Sequence, residues 1–350
     1  MAAIAPHRLF YPAHLMLEAA SGLLKVGTAR RRMTSALFAL AMMTPIAQSV
    51  AQSATTAPTS ASDAVTARLM TRLAALSADS MEGRRAGTPG SQRARRWIIG
   101  ELTAMGAQPV GASFEQPVTL PARADRDTAG ANIVARIPGT RRGGPVIVVS
   151  AHYDHLGVRN GVVYNGADDD ASGCVGLLAI AERLLAAPPE HDVILAFFDN
   201  EEGGMHGSRT FVASGLVPQA QMALDISLDM IARQDGRALW VSGLSHYPAL
   251  KTIADEAAAT AAIPIRFGHD TKDLKPGDDW TSSSDHAAFH ARGIPFLYLG
   301  VEDHADYHKP GDDAEKVDPA FYRGAVDFAY ALVRAADARV DGLTRTPAGR

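Results

Sequence analysis

Among 38 acidic residues and 12 histidines in 350 residues, one subset falls where chemistry is commonly done, directly after apolar, strand-like runs. His152, Asp154 and His155 follow the run 145–151. Glu201 and Glu202 follow 192–199, and Asp229 ends 223–229. His304, Asp306 and His308 follow 295–301. Between the first two runs lies an acidic loop, Gly166-Ala167-Asp168-Asp169-Asp170-Ala171-Ser172-Gly173. In open α/β sheets, sites form beyond the carboxyl ends of strands. Each feature alone has an ordinary reading: a His-x-Asp surface hydrogen bond, a solvated glutamate pair, or aspartates that complement a helix dipole. Their coincidence at one sheet edge is different. Imidazoles and carboxylates together make a nitrogen/oxygen site suited to zinc. Paired carboxylates can also hold two cations roughly 3.5–4 Å apart.

The elements that must position these groups follow from periodicity. Residues 64–76 and 91–105 read as helices, the second with Trp97, Ile98, Leu102 and Met105 at helical spacing. Strands are expected at 132–137, 145–151, 192–199, 223–229, 238–242 and 295–301. Several are continuously apolar, as in strands buried on both faces. Helices are expected at 173–187 with Ser172 as N-cap, after a cap at Ser208, at 248–262 and at 319–336. This alternation implies a mostly parallel sheet with helices on both faces.

Composition narrows the partners. Hydrophobic content of 47% and charged content of 21% exclude a disordered or collagen-like chain. The single cysteine, Cys174, excludes an internal disulfide and any cysteine-cluster metal site. Residues 1–51 hold five basic residues against Glu18, so with a net charge of -4 the remainder carries -8. An acidic body argues against nucleic acid. Arg30-Arg31-Arg32, the apolar run 33–43 and the small residues Ser49-Val50-Ala51 have the parts of a secretory signal. The apolar run is too short to span a bilayer, and Pro45 interrupts it. The expected organisation is a signal region at 1–51, a linker at 52–62 and one catalytic domain at 63–340, exported to the periplasm or beyond.

Several phrases in order resemble the clan MH zinc aminopeptidases (peptidase family M28-like, of the bacterial leucyl aminopeptidase and aminopeptidase Y type). They are Ala151-His152-Tyr153-Asp154-His155-Leu156-Gly157, the acidic loop preceded by Tyr164-Asn165, Asn200-Glu201-Glu202-Gly203-Gly204, Leu228-Asp229-Met230, Ser284-Asp285-His286 and Asp306-Tyr307-His308-Lys309-Pro310. The opening Met81-Glu82-Gly83-Arg84-Arg85-Ala86-Gly87-Thr88-Pro89-Gly90 is also similar. The resemblance spans about residues 75–336 and implies the zinc exopeptidase fold, a mixed sheet with helices on both faces. Ser227, where the family often has asparagine, and Cys174 are departures.

Carried over motif by motif, the resemblance implies that His152, Asp169, Glu202, Asp229 and His308 bind two zinc ions, with Asp169 bridging. Asp154 would orient His152, and Asp285 would hold a ligand histidine. His304 is the rival to His308, but the Asp-Tyr-His-x-Pro phrase favours His308. Glu201 matches the general base, and Tyr307 is placed to reach the substrate carbonyl. The implied chemistry is hydrolysis of N-terminal residues from peptides with a free N-terminus, by a hydroxide held between two zinc ions that bring its pKa toward about 7. A carboxypeptidase, a dipeptidase or a glutaminyl cyclase could use the same fold. A non-catalytic homologue is opposed by retention of every metal position.

Overall fold

The computed structural model describes residues 61–343, apart from 272 and 276. The expected signal region and nearly all of the linker lie outside them. Eleven strands are described. They are β1 (Gln108–Pro109), β2 (Glu115–Thr119), β3 (Ala129–Ile137), β4 (Val146–His152), β5 (Gly157–Arg159), β6 (Val162–Tyr164), β7 (Val193–Phe198), β8 (Met222–Leu228), β9 (Leu239–Ser242), β10 (Ile265–Phe267) and β11 (Phe296–Gly300). The helices are α1 (Ala61–Leu76), α2 (Pro89–Met105), α3 (Gly173–Ala186), α4 (His206–Ser214), α5 (Lys251–Ala258), α6 (His286–His290) and α7 (Pro319–Asp337).

Nine strands form one sheet in the order β1-β3-β7-β4-β8-β11-β9-β10, with β2 also on β3. The centre is parallel: β4 pairs with β7 and β8, and β8 with β11. Toward the edges β3 runs antiparallel to β7, and β9 antiparallel to β11. β4, β7 and β8 are buried at every residue, which is why their sequences are continuous apolar runs rather than alternating ones.

The two faces divide by the strand period of two. Leu195 and Phe197 of β7 join the larger core, with Leu73, Ile98, Leu178, Ile253 and Phe328 from five helices. Ile194, Ala196 and Phe198 turn the other way, onto Phe211 of α4 and Phe289 of α6. α2 shows the local logic of a helix. The Thr88 side chain accepts from Ser91 N, Pro89 occupies the first turn, and Gly106 ends the helix in the left-handed region at φ 83°.

Three local expectations are corrected. Ser172 does not cap α3 with its side chain; it is itself αR, at the end of an irregular turn over Ala167–Ser172. Ser208 lies inside α4, whose cap position is Met205. The helix expected at 248–262 is a short turn, Pro248–Leu250, followed by α5, which stops at Ala258. Pro264 disfavours a helical residue before it, and the chain must turn there to enter β10. Among the described residues, no helix is long and apolar enough to cross a membrane.

Candidate metal centre

The parallel strands β4, β7 and β8 deliver His152, Glu201, Glu202 and Asp229 to one edge because their carboxyl ends point the same way. Asp169 arrives from the turn before α3, where the Asp169–Asp170 peptide bond is cis. Gly166 begins this turn at φ 56°. A Cβ there would lie 2.1 Å from Asp169 O and 2.5 Å from the His155 ring, so only glycine lets the loop approach so closely.

The neighbours of Asp169 anchor the turn. Asp170 accepts from His152 N at 3.1 Å, Gly173 N at 2.8 Å and Met230 N at 3.2 Å, tying together the ends of β4 and β8 and the start of α3. Asp168 accepts from Ala232 N at 2.7 Å and faces His304 Nε2 at 3.3 Å. Asp312, which carries no sequence motif read above, accepts from the backbone N–H of both Asp168 and Asp169 at 3.1 Å. Burial, with the Asp168 charge added, pushes the Asp312 carboxyl up to about 6.

Two groups of candidate ligand atoms share Asp169. In the first, His152 Nε2 lies 3.3 Å from Asp169 Oδ1 and 3.5 Å from Asp229 Oδ1. In the second, His308 Nε2 lies 3.1 Å from Asp169 Oδ2 and 3.4 Å from Glu202 Oε2. The ligand atoms of His152, Asp169 and Asp229 lie within 4.8 Å of one another, as do those of His155, Asp169 and Glu202. His155, just past the end of β4, has no role in the family resemblance. Its ring is fully buried, with Nδ1 2.7 Å from Glu202 Oε1 but not aligned for a hydrogen bond, so Glu202 Oε1 and both His155 nitrogens remain buried without partners. Buried, unpartnered oxygen and nitrogen atoms around a shared carboxylate fit a cation-holding donor set.

Electrostatics agree with close packing of acids and imidazoles. Burial pushes the Asp169 carboxyl up, but His155, His152 and His308 outweigh it and hold the group well below the usual carboxylate range. Burial lowers the His152 imidazole pKa, yet Asp229 and Asp169 raise it well above the ordinary value. The Glu201 carboxyl is pushed well up by burial, with the charges of Asp285, Asp229 and Glu202 adding to it. Burial and the Asp169 and Asp229 charges also push the Tyr307 hydroxyl up, which keeps it a donor. Its ring stacks on His308, with centroids 4.0 Å apart.

The remaining sequence candidates have specific places. His152 Nδ1 lies 3.1 Å from the backbone O of Asp154 and 3.8 Å from its carboxylate. That carboxylate accepts from Glu201 N at 2.9 Å, so Asp154 also positions the Glu201 backbone. Asp285 is buried at the start of α6 and neither of its oxygens has a hydrogen-bond partner; it bonds no histidine among the described residues. Burial pushes its carboxyl up to about 6. His304 pairs with Asp168, leaving His308 against Asp169 and Glu202.

A cleft of about 410 Å³ opens over His152, Asp169, Glu201, Glu202, Asp229 and His308, with Tyr307, Trp280 and Asp303 on its walls.

Arg84, within the segment 81–90, supports this arrangement from below. Its side chain is 0% exposed. It donates to the carbonyls of Tyr153 and Gly166 at 2.8 Å, of Leu76 at 3.2 Å and of Asp169 at 3.4 Å, and also to that of Asn165.

Comparison with known proteins gives the family and the fold. Residues 132–333 match the sequence profile described as Peptidase family M28. Aminopeptidase YwaD of Bacillus subtilis is 28% identical over 232 residues, covering 63% of this chain and 47% of that protein, so the match spans about half the relative's length. The zinc aminopeptidase BSAP from Bacillus subtilis superposes with a TM-score of 0.62 at 16% identity, over 77% of this chain and 94% of that one. Porphyromonas gingivalis glutaminyl cyclase gives 0.61 at 20% identity, over 78% and 98%. At such identities the superpositions establish the zinc exopeptidase fold.

Proposed function

Because the chain belongs to peptidase family M28, we propose that it is an exported, two-zinc aminopeptidase acting on peptides with a free N-terminus. The observation that carries the reading is Asp169, buried between two groups of ligand atoms that share it. His152 and Asp229 would hold one zinc with Asp169, and Glu202 and His308 the other. When bound, such ions polarise a carbonyl and lower the pKa of a water. Export rests on the sequence of residues 1–51 alone.

The chain's own groups supply the rest. Glu201 faces the cleft with its backbone fixed on Asp154. It accepts the proton of the attacking water and passes it to the leaving amine. The Tyr307 hydroxyl, kept protonated, donates to the scissile carbonyl oxygen as charge develops there. Asp229, Asp303 and the glutamates line the cleft, and no arginine or lysine is among the described residues lining it, which favours a cationic amino group.

The test is a panel of aminoacyl-arylamides and N-blocked peptides, run beside metal analysis. Cleavage of free-amine substrates only, with about two zinc ions per chain, supports the reading. Cyclisation of N-terminal glutamine with a single bound metal, or cleavage at the carboxyl end, overturns it.

A further inference from the structure

Glu202 stands between two depressions of opposite character. On one side is the acidic cleft. On the other is a cavity of about 290 Å³ with Asp154, His155 and Glu202 among its lining residues and four arginines, Arg85, Arg123, Arg126 and Arg159, around it. We propose that this second cavity binds the carboxylate of a short peptide whose amino end lies in the acidic cleft, making the protein selective for small zwitterionic peptides. This rests on the aminopeptidase reading and adds a substrate class to it.

The arginines come from three segments, with Arg123 and Arg126 in one loop, and are incompletely matched. Arg85 is paired with Asp125 at 2.7 Å. Arg126 donates to the neutral side chain of Asn200 at 2.9 Å, and its Nε is buried without a partner. Arg123 faces Arg126 across an isolated antiparallel bridge, so the two side chains leave the same face. Arg159 lies over the Tyr164 ring at 5.2 Å. Neither Arg123 nor Arg159 has an ion-pair partner among the described residues. The two carboxylates lining the cavity are committed elsewhere: Asp154 accepts from Glu201 N, and Glu202 faces His155 and His308.

With one ion pair among the four, at Arg85, the converging cations still repel one another. Burial, followed by the charges of Arg123 and Arg85, lowers the Arg126 pKa. A carboxylate entering here would relieve that repulsion and accept charge-assisted hydrogen bonds from a planar guanidinium fork. Because Glu202 borders both depressions, an extended chain rising about 3.3–3.6 Å per residue needs only a few residues to reach from one to the other. A longer peptide would carry its terminal charge past the arginines. The polarity also fixes direction, with the ammonium toward Asp229 and Asp303 and the carboxylate toward the arginines.

The test uses the zinc-loaded full chain carrying Glu201→Gln, which can bind peptides without turning them over, and reads dissociation constants by calorimetry. The probes are Leu-Gly-Gly as the free acid, its amide, and Leu-Gly-Asp amide, whose only carboxylate is a side chain. The acid should bind about tenfold tighter than the amide, as a charge-assisted contact implies. The preference should shrink as salt is raised. Arg123→Gln with Arg159→Gln should bring the acid-to-amide ratio close to one. Weak binding of the aspartyl amide supports recognition of the chain terminus, and binding as tight as that of the free acid overturns it in favour of a side-chain carboxylate. Equal binding of acid and amide, no binding of either, or an unchanged ratio in the double variant overturns the proposal. The wild type tests the parent reading separately: if it cleaves no free-amine substrate, that reading fails, while the binding ratio still decides this one.

Discussion

Arg84→Met should unhook the loop that carries Asp169. Methionine fills much of the same buried volume but offers no donor. Five backbone carbonyls, from Leu76, Tyr153, Asn165, Gly166 and Asp169, then lose their shared partner. Arg84 is 0% exposed, so water does not simply take its place. The Gly166 carbonyl keeps Ala171 N as a donor; at about 1–3 kcal/mol for each of the other four acceptors, the gross cost is on the order of 4–12 kcal/mol. Avoiding the burial of a guanidinium charge returns several kcal/mol of this, leaving a net loss of about 3–5 kcal/mol, the range found when one side of a buried charged set is removed. A fold worth about 5–15 kcal/mol survives that loss but only narrowly. Urea unfolding of the metal-free protein measures it as a lower midpoint with an unchanged slope. Because Gly166 and Asp169 are among the released carbonyls, zinc affinity should fall in parallel. A destabilisation below about 1 kcal/mol with unaltered zinc binding would refute the assignment of Arg84 as the loop's anchor.

Other substitutions separate roles that lie close in space. Glu201→Gln should lower kcat by at least about 10²-fold, the low end for loss of a general base, and keep its full metal content. Glu202→Gln should instead lose one zinc first and recover activity partly at high zinc, so metal analysis of the two variants shows whether the assignment is reversed. His155→Ala removes the ring packed against Glu202 Oε1 at 2.7 Å and should weaken the second zinc by about 10- to 100-fold, as loss of an outer partner does; competition with a fluorescent chelator reads this directly. Asp225→Asn should change the pH profile of stability in the metal-free protein. Burial holds the Asp225 carboxyl well above its ordinary value of 3.8, with Ser150 Oγ its hydrogen-bond partner at 2.9 Å. The folded state therefore keeps a proton that the unfolded chain releases above that value, and the stability contributed by Asp225 falls as pH rises from there through the folded pKa. The asparagine variant lacks this loss, so its advantage in urea should grow between pH 4.5 and 7.5; a constant gap would mean that Asp225 ionises freely in the fold.

What the sequence determined by itself was whatever repeats locally. β4, β7, β8 and β11 were legible as continuous apolar runs because strands in the middle of a parallel sheet are buried on both faces. α2 and α7 were legible because each turns an apolar stripe inward. The acidic loop and the two glutamates were legible because they follow such runs directly. The tertiary structure decided everything that depends on segments far apart in the chain. Ser172 looked like a cap, but its hydroxyl donates to Asp168 O and accepts from Ile231 N. β10 has three residues and exists through pairing with β9, so it has too little pattern to be read alone. Arg84 and Arg85 are neighbours, and nothing local distinguishes one from the other. One is buried beneath the loop and the other reaches Asp125 at the surface. His155 stood one residue past Asp154 with no sign that it would meet Glu202, and Asp312 carried no motif that tied it to Asp168 and Asp169. Burial and partnership of polar groups are set by which distant backbone and side-chain atoms the fold brings within hydrogen-bond range, and periodicity along a single chain does not encode that distance.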